Sequence, residues 1–289
     1  MLTFLATVSL LSALQNPPDT LQGRLEARIR QTAGALVGLS YVDLATGRSV
    51  HINADSSFHA ASTMKVPVMI ELFRQVDRHE LSLDQGMLLK NEFRSIVDGS
   101  AYSLSAGDDS DSLVYTKVGH QVPVRELLER MIVRSSNLAT NALIEIVDAK
   151  KADATAKALG ARNIKVLRGV EDGKAYAQGL NNSTTSRDLA ALMAAIEQGR
   201  AASPASTALM RDILMRQEFN EEIPAGLPAG TKVAHKTGFI TAHRHDAAIV
   251  YPPRGTPYVL VVLTRGVRDE QQQRELIADL SRIVWESRR

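Results

Sequence analysis

The chain has 289 residues, of which 44% are hydrophobic and 23% charged. This is ordinary globular composition, and the length suffices to bury a substantial core. A formal net charge of +2 gives no electrostatic pull toward nucleic acid or a membrane surface. The absence of cysteine excludes disulfides, thiol nucleophiles and thiolate metal sites.

Residues 1–14, MLTFLATVSLLSAL, form an apolar run too short for a comfortable membrane span and suited to the core of a secretory signal. A signal peptide is expected over 1–15, and an exported protein, periplasmic or secreted, after its removal. A buried N-terminal helix is the alternative. No later segment is apolar enough to span a bilayer. The breaker cluster Asn16-Pro17-Pro18-Asp19 marks the start of the fold.

Leu21, Leu25 and Ile29 recur at helical spacing, which predicts an amphipathic helix over 21–33. Residues 36–43 alternate as a strand, Ala45-Thr46-Gly47-Arg48 reads as a turn, and 49–53 returns as a second strand, so a hairpin is expected. The segment 58–76 predicts a strong helix opening at Ser62. A polar, Gly- and Asp-rich stretch over 95–119 reads as an exposed loop insertion. Helices follow over 124–134, 137–147 and 152–159, the last closed by Gly160. A long structured loop is expected over 166–182 and a helix over 186–199. Strands are expected over 232–239, 245–251 and 258–264, then a final helix over 269–285. Strands near both ends with helices between them imply an α+β fold, in which distant segments close one antiparallel sheet. The expected organisation is one catalytic domain with a sheet lobe, 20–57 and 187–289, and a helical lobe, 58–186.

Three short motifs could carry chemistry. Ser62-Thr63-Met64-Lys65 places a serine and a lysine on one helical face. A serine hydroxyl is a weak nucleophile and needs such a base. The start of a helix also offers free N–H groups to a developing oxyanion. Ser135-Ser136-Asn137 puts a hydroxyl and an amide at a helix start, where they would equally serve as caps. Lys236-Thr237-Gly238 sets a cation and a hydroxyl on a strand, with a glycine that admits close approach.

In this order, on helix, helix start and strand, the motifs resemble those of class A β-lactamases and penicillin-binding proteins. The similarity extends to Leu138-Ala139-Thr140-Asn141 and Asn182-Ser183-Thr184-Thr185, and spans nearly the whole chain. It implies a helical lobe packed on an antiparallel sheet with the active site between them. It also implies a small-molecule β-lactam or D-Ala-D-Ala-type peptide substrate, no cofactor, no nucleic-acid partner and a monomer. By the resemblance, Ser62 is acylated, Lys65 accepts a proton and Ser135 passes one to the leaving nitrogen. Asn137 holds a substrate amide, Lys236 and Thr237 bind its carboxylate, and the N–H groups of Ser62 and Phe239 form the oxyanion hole.

The chain departs from the family pattern in three places. The loop over 95–119 looks longer than is usual in the family. Ser136 stands where class A enzymes usually have Asp. The deacylating loop, E-x-x-L-N in the family, reads Arg168-Gly169-Val170-Glu171-Asp172-Gly173-Lys174-Ala175 here. Glu171 is the candidate deacylating carboxylate and a solvated loop charge is its alternative. Three readings therefore stand: a β-lactamase, a D,D-peptidase that deacylates slowly, and a non-catalytic penicillin- or peptidoglycan-binding sensor. His243 and His245 share a strand face and could bind zinc, but no third ligand stands at recognisable spacing. A carboxylate-binding role for Arg244, beside the Lys-Thr-Gly strand, is the preferred use of that segment.

Overall fold

The computed structural model describes residues 19–288; the expected signal peptide lies outside them. Thr20 caps α1 (Leu21–Arg30), which ends three residues before the expected limit. The hairpin β1 (Leu36–Asp43) and β2 (Ser49–Ile52) follows as predicted. The next segment does not open as an α-helix at Ser62. A two-residue strand β3 (Phe58–His59) leads into a 3₁₀ turn, Ala61–Met64, and α2 (Lys65–Asp77) begins only at Lys65. Ala61 holds a positive φ of 46°, and that left-handed residue turns the chain between strand and helix.

The 95–119 stretch is more ordered than an exposed insertion. Short strands β4 (Gly86–Leu88), β5 (Phe93–Arg94), β6 (Ala101–Tyr102) and β7 (Gln121–Pro123) frame it, with a 3₁₀ segment over Ser112–Lys117. Asp109, Asp111 and Val114 are buried within it. Helices α3 (Val124–Val133), α4 (Asn137–Val147) and α5 (Ala149–Ala158) come next. Gly160 takes a φ of 100° after α5, the left-handed conformation that ends a helix at little steric cost to glycine. The long loop contains a short helix α6 (Gly173–Ala177) and closes on β8 (Ser183–Thr184), which pairs with β3. Then come α7 (Ser186–Glu197) and α8 (Pro204–Met215). Helix α8 has no counterpart among the sequence-based expectations, although Ser203 caps it and Pro204 occupies its first turn, an N-terminal signature legible in the sequence.

Strands β9 (Lys232–Ile240), β10 (His243–Tyr251) and β11 (Tyr258–Arg265) complete the sheet, and α9 (Glu270–Glu286) ends the chain. The order is β2-β1-β11-β10-β9, with every neighbouring pair antiparallel. Side chains alternate strictly across it. Val259, Val261 and Leu263 of β11, with Ala247 and Ile249 of β10, join the core shared with α2–α5, α7 and α8. Tyr258, Leu260 and Val262, with Ala248 and Val250, join a second core under α1 and α9. Both faces of β11 are thus covered, which explains its unbroken apolar run. Each fully buried Leu, Ile or Val contributes about 1.5–3 kcal/mol, so the two cores hold β9 and the turn at Ser62 in fixed relation. β9 is an edge strand and packs against the 3₁₀ turn that carries Ser62.

Candidate active site

Ser62 sits in the 3₁₀ turn between β3 and α2 and lines a cleft of about 430 Å³, together with His59, Ser135, Asn137, Glu171, Phe239 and others. That volume is within the range of small-molecule sites. Gly238 brings β9 against this turn: a Cβ there would lie 2.9 Å from the Ser62 amide nitrogen and 3.1 Å from that of Thr63. This is the close approach that requires glycine at the end of the third motif. His59 supports the turn from the other side, its Nδ1 accepting the N–H of Ala61 at 3.0 Å. The proton of that neutral ring then resides on Nε2. Burial, with His243 and Arg168 nearby, pushes the imidazole down to about 4.

Lys65 is fully buried and donates to three oxygens: the carbonyl and hydroxyl of Ser135, at 2.6 and 3.1 Å, and Asn137 Oδ1 at 3.0 Å. Its ammonium is thus directed to the second motif, and among the described residues it forms no hydrogen bond with Ser62. Burial above all, then the neighbouring Lys236, holds its pKa well below the ordinary lysine value, with Asp109 and Glu171 opposing. Lys236 is also fully buried. It donates to Ser135 Oγ and to the carbonyl of Thr237, both at 2.9 Å. Burial pushes it down to about 7, against the pull of Asp246 and Glu222.

Ser135 has a positive φ of 57°, so its side chain leaves α4 and turns to the two lysines. Asn137 opens α4 and offers Nδ2 to Glu171 Oε1 at 2.9 Å. Both ends of its amide are therefore engaged. Glu171 lines the cleft, is exposed, and also has a positive φ, of 62°. The backbone before it is clamped by Asn141, which accepts from Val170 N at 2.6 Å and donates to Val170 O at 3.0 Å. Gly169 is obligatory beneath this clamp, since a Cβ there would meet Asn141 Oδ1 at 2.3 Å. Asn182 closes the loop's base, accepting from Leu167 N and donating to Arg168 O. Asp172, next to Glu171, caps α6 and takes bonds from Ser95 and Ile96, so its carboxylate is structural.

The structure thus brings together Ser62, Lys65, Ser135, Asn137, Glu171, Lys236 and Gly238. Thr237 is buried and Phe239, half-exposed, lines the cleft. Arg244 is not brought there. The register pairs Ala247 with Lys236 and Phe239 with Arg244. Strand alternation therefore sends Arg244 to the sheet face opposite Lys236. There its guanidinium donates to Glu222 at 2.6 Å, Glu270 at 3.1 Å and Gln273 at 3.2 Å and stacks on the Phe239 ring, 5.2 Å from its centroid, so it stands behind Phe239 and does not line the cleft. The zinc alternative for the paired histidines has no support: both ring nitrogens of His245 are engaged by backbone, Nε2 at 2.8 Å from His59 O and Nδ1 at 2.7 Å from Arg244 O and 3.2 Å from Thr264 N. No group of three or more potential ligands gathers around a metal position among the described residues. No described helix is long and apolar enough to cross a membrane.

Sequence reasoning did not assign roles to Asp109, His59 or Asn141. Asp109 and Asn141 are visible as residues, but their bonds to Asn137 and Val170 span 28 and 29 positions, and no local spacing reports such contacts.

Comparison with known proteins places the chain among its relatives. The family model described as "Beta-lactamase enzyme family" matches residues 20–287. A beta-lactamase of Nocardia asteroides, AST-1, is 29% identical over 263 residues, covering 89% of this chain and 81% of its own. The extended-spectrum beta-lactamase PER-1 of Pseudomonas aeruginosa is 27% identical over 81% of this chain and 77% of its own. Among solved structures, that of PBP-A superposes with a TM-score of 0.80 at 30% identity, covering 94% of this chain and 97% of that one. A mutant of PBP-A has been captured as its acyl-enzyme with penicillin G, with a TM-score of 0.79 at 30% identity over the same shares of the two chains. With the motifs assembled around one cleft and a family model spanning nearly all described residues, the chain belongs to the beta-lactamase enzyme family.

Proposed function

We propose that the chain is a class A-like serine β-lactamase that opens β-lactam amides through an acyl-enzyme at Ser62. The observation that carries this reading is the convergence of Lys65 and Lys236 on Ser135 beside the Ser62 turn. In the neutral form that its lowered pKa favours, Lys65 can take the Ser62 proton as the hydroxyl oxygen attacks the lactam carbonyl. The oxyanion collapses, the C–N bond breaks, and Ser135 delivers its proton to the departing nitrogen while taking one from the Lys65 ammonium that donates to it. Lys236, when protonated, attracts the substrate carboxylate. The amides of Ser62 and Phe239 hold the oxyanion.

Hydrolysis of the resulting ester needs a base for the attacking water, worth about 10²–10⁴-fold. Glu171 is a carboxylate on the cleft wall that is bonded to Asn137, whereas Asp172, also on that wall, is used as a cap. The test is an intact-mass time course after adding penicillin. Wild type should show an adduct on Ser62 that disappears with turnover. Glu171→Gln should accumulate that adduct at a nearly unchanged acylation rate. Reversible binding without an adduct would replace the enzyme reading with that of a sensor.

A second reading, a D,D-peptidase acylated by β-lactams but slow to release them, has one observation in its favour. Glu171 is exposed and held by Asn137, while the Asn141 clamp grips the backbone of Val170, not of Glu171. A wild-type adduct that persists for hours selects this reading.

A further inference from the structure

We infer that Asp109, on the Gly- and Asp-rich loop, is a positioning residue for the reaction: its carboxylate ties that loop to the start of α4 and thereby sets Ser135 and Asn137 in register with Lys65. The inference rests on the acyl-enzyme reading of Ser62. Its basis is a convergence of donors on one oxygen. Asp109 Oδ2 accepts the backbone N–H groups of Asn137 and Leu138, both at 2.9 Å. The hydroxyls of Tyr115, at 3.1 Å, and Ser136, at 3.3 Å, reach the same atom. Oδ1 accepts the N–H of Asp111, which fixes the carboxylate from its own loop. Asp109 is itself buried, so these bonds are shielded from water and hold the group in one orientation.

The helix start needs such an anchor. Ser136 is the N-cap residue of α4, but of the helix N–H groups its hydroxyl accepts only that of Ala139, at 3.2 Å. The preceding Ser135 is in the left-handed region, which costs a non-glycine residue energy unless its surroundings impose it. A carboxylate over the first two N–H groups of α4 completes the cap and complements the positive end of the helix. Ser135 and Asn137 flank that cap and hold Lys65 between them. The same anchor sets the neighbours of Asp109: Asp108 and Ser110 line the cleft beside Asn137. Tyr115 completes the unit, since burial and the adjacent carboxylate push its phenol up and keep it a donor.

The charge of Asp109 acts on Lys65 as well. The charged groups facing Lys65 are Lys236 from β9, which disfavours its ammonium, and Asp109 and Glu171 from the two loops, which favour it. Replacing Asp109 by Asn keeps an acceptor for the two amides and removes one of the two negative charges. Lys65 should then lose its proton at lower pH.

The experiment compares three variants of the full chain. Asp109→Ala should acylate Ser62 about 10²-fold more slowly than wild type, the scale of loss from misplaced reacting groups. Adding Ser136→Asp to it puts a carboxylate on the N-cap residue itself and should recover at least about tenfold of that loss, since Asp caps helices well. Asp109→Asn should retain most of the rate, with the acid limb of the acylation profile displaced to lower pH; this variant keeps the proposal testable if Asp109→Ala does not fold. Acylation by Asp109→Ala within about twofold of wild type, no recovery with Ser136→Asp, or an undisplaced limb in Asp109→Asn would each overturn the inference. Amide hydrogen exchange separates its failure from that of the Ser62 reading. If penicillin does not label wild type at all, the enzyme reading fails, and Asp109 is then judged on the Asn137 and Leu138 amides. Their exchange should accelerate at least about tenfold in the alanine variant, and unchanged protection sinks the positioning role.

Discussion

Lys65 and Lys236 donate to a single atom, Ser135 Oγ, at 3.1 and 2.9 Å. A hydroxyl oxygen has two lone pairs, so both contacts can be made together and leave the Ser135 proton free to be given away. Two ammonium groups this close, both fully buried, disfavour each other's charge, and Lys236 is among the groups that lower Lys65. The pair therefore favours one neutral lysine for proton acceptance and one charged lysine for the substrate carboxylate.

The pH dependence of acylation should follow from this division. Lys65 must be neutral, a fraction that rises with pH. Lys236 must be charged, a fraction that falls as pH rises through about 7. For a carboxylate-bearing β-lactam the profile of kcat/KM should be bell-shaped, with limbs that belong to the coupled pair rather than to either lysine. For an uncharged acyl ester the alkaline fall attributed to Lys236 should vanish. Lys236→Ala should accordingly slow the carboxylate substrate at least about tenfold more than the ester. Equal losses would show Lys236 acting on the chemical step instead.

Removing the shared oxygen tests the proton relay. Ser135→Ala should lower the acylation rate by about 10²–10⁴-fold, the usual contribution of a positioned proton-transfer group, without moving the adduct from Ser62. Peptide mapping of the trapped adduct reads both expectations. Ser62→Ala should give no adduct, and labelling at any other residue would end the nucleophile assignment.

Gly238 sets how closely β9 approaches the nucleophile turn. In Gly238→Ala the new methyl group meets backbone, 2.9 Å from Ser62 N and 3.1 Å from Thr63 N, so one segment must shift. Such overpacking costs about 1–3 kcal/mol, which a denaturant midpoint would register. The acylation rate should fall at least about tenfold, because the shift displaces Ser62 itself. A variant with wild-type acylation would show that the turn adapts freely.

Arg244 provides the contrasting case. Its main partner Glu222 is almost wholly buried, and burial, with Asp246 beside it, raises the Glu222 pKa. Arg244→Ala leaves that carboxyl without its cation, and losing one member of a buried pair typically costs about 3–5 kcal/mol. The variant should lose stability by about that amount in denaturant titration. At a temperature where it stays folded, its preference between carboxylate and uncharged substrates should match wild type. A selective loss on the carboxylate substrate would restore the ligand-binding expectation.

The sequence alone determined the elements whose cause is local. Helix α4 over 137–147 is recognisable from its apolar spacing and the cap at Ser136, and β11 from a continuous apolar run. Ser62, Ser135 and Lys236 are recognisable because motif spacing survives in one dimension. Tertiary structure decided what depends on register and on contacts between distant segments. The pairing of Arg244 with Phe239 placed the guanidinium on the sheet face opposite Lys236 and against the Phe239 ring, which a one-residue change in register would have reversed. Ser62 in a 3₁₀ turn, not at an α-helix N-terminus, follows from the strand β3 pairing with β8 and drawing the chain away before α2 begins. The bond from Asn137 to Glu171, and the carboxylate that Asp109 brings to α4, join segments 34 and 28 residues apart. Such bonds form because packing removes both partners from water or sets them face to face, and the chemistry of either residue read alone is equally that of a solvated loop.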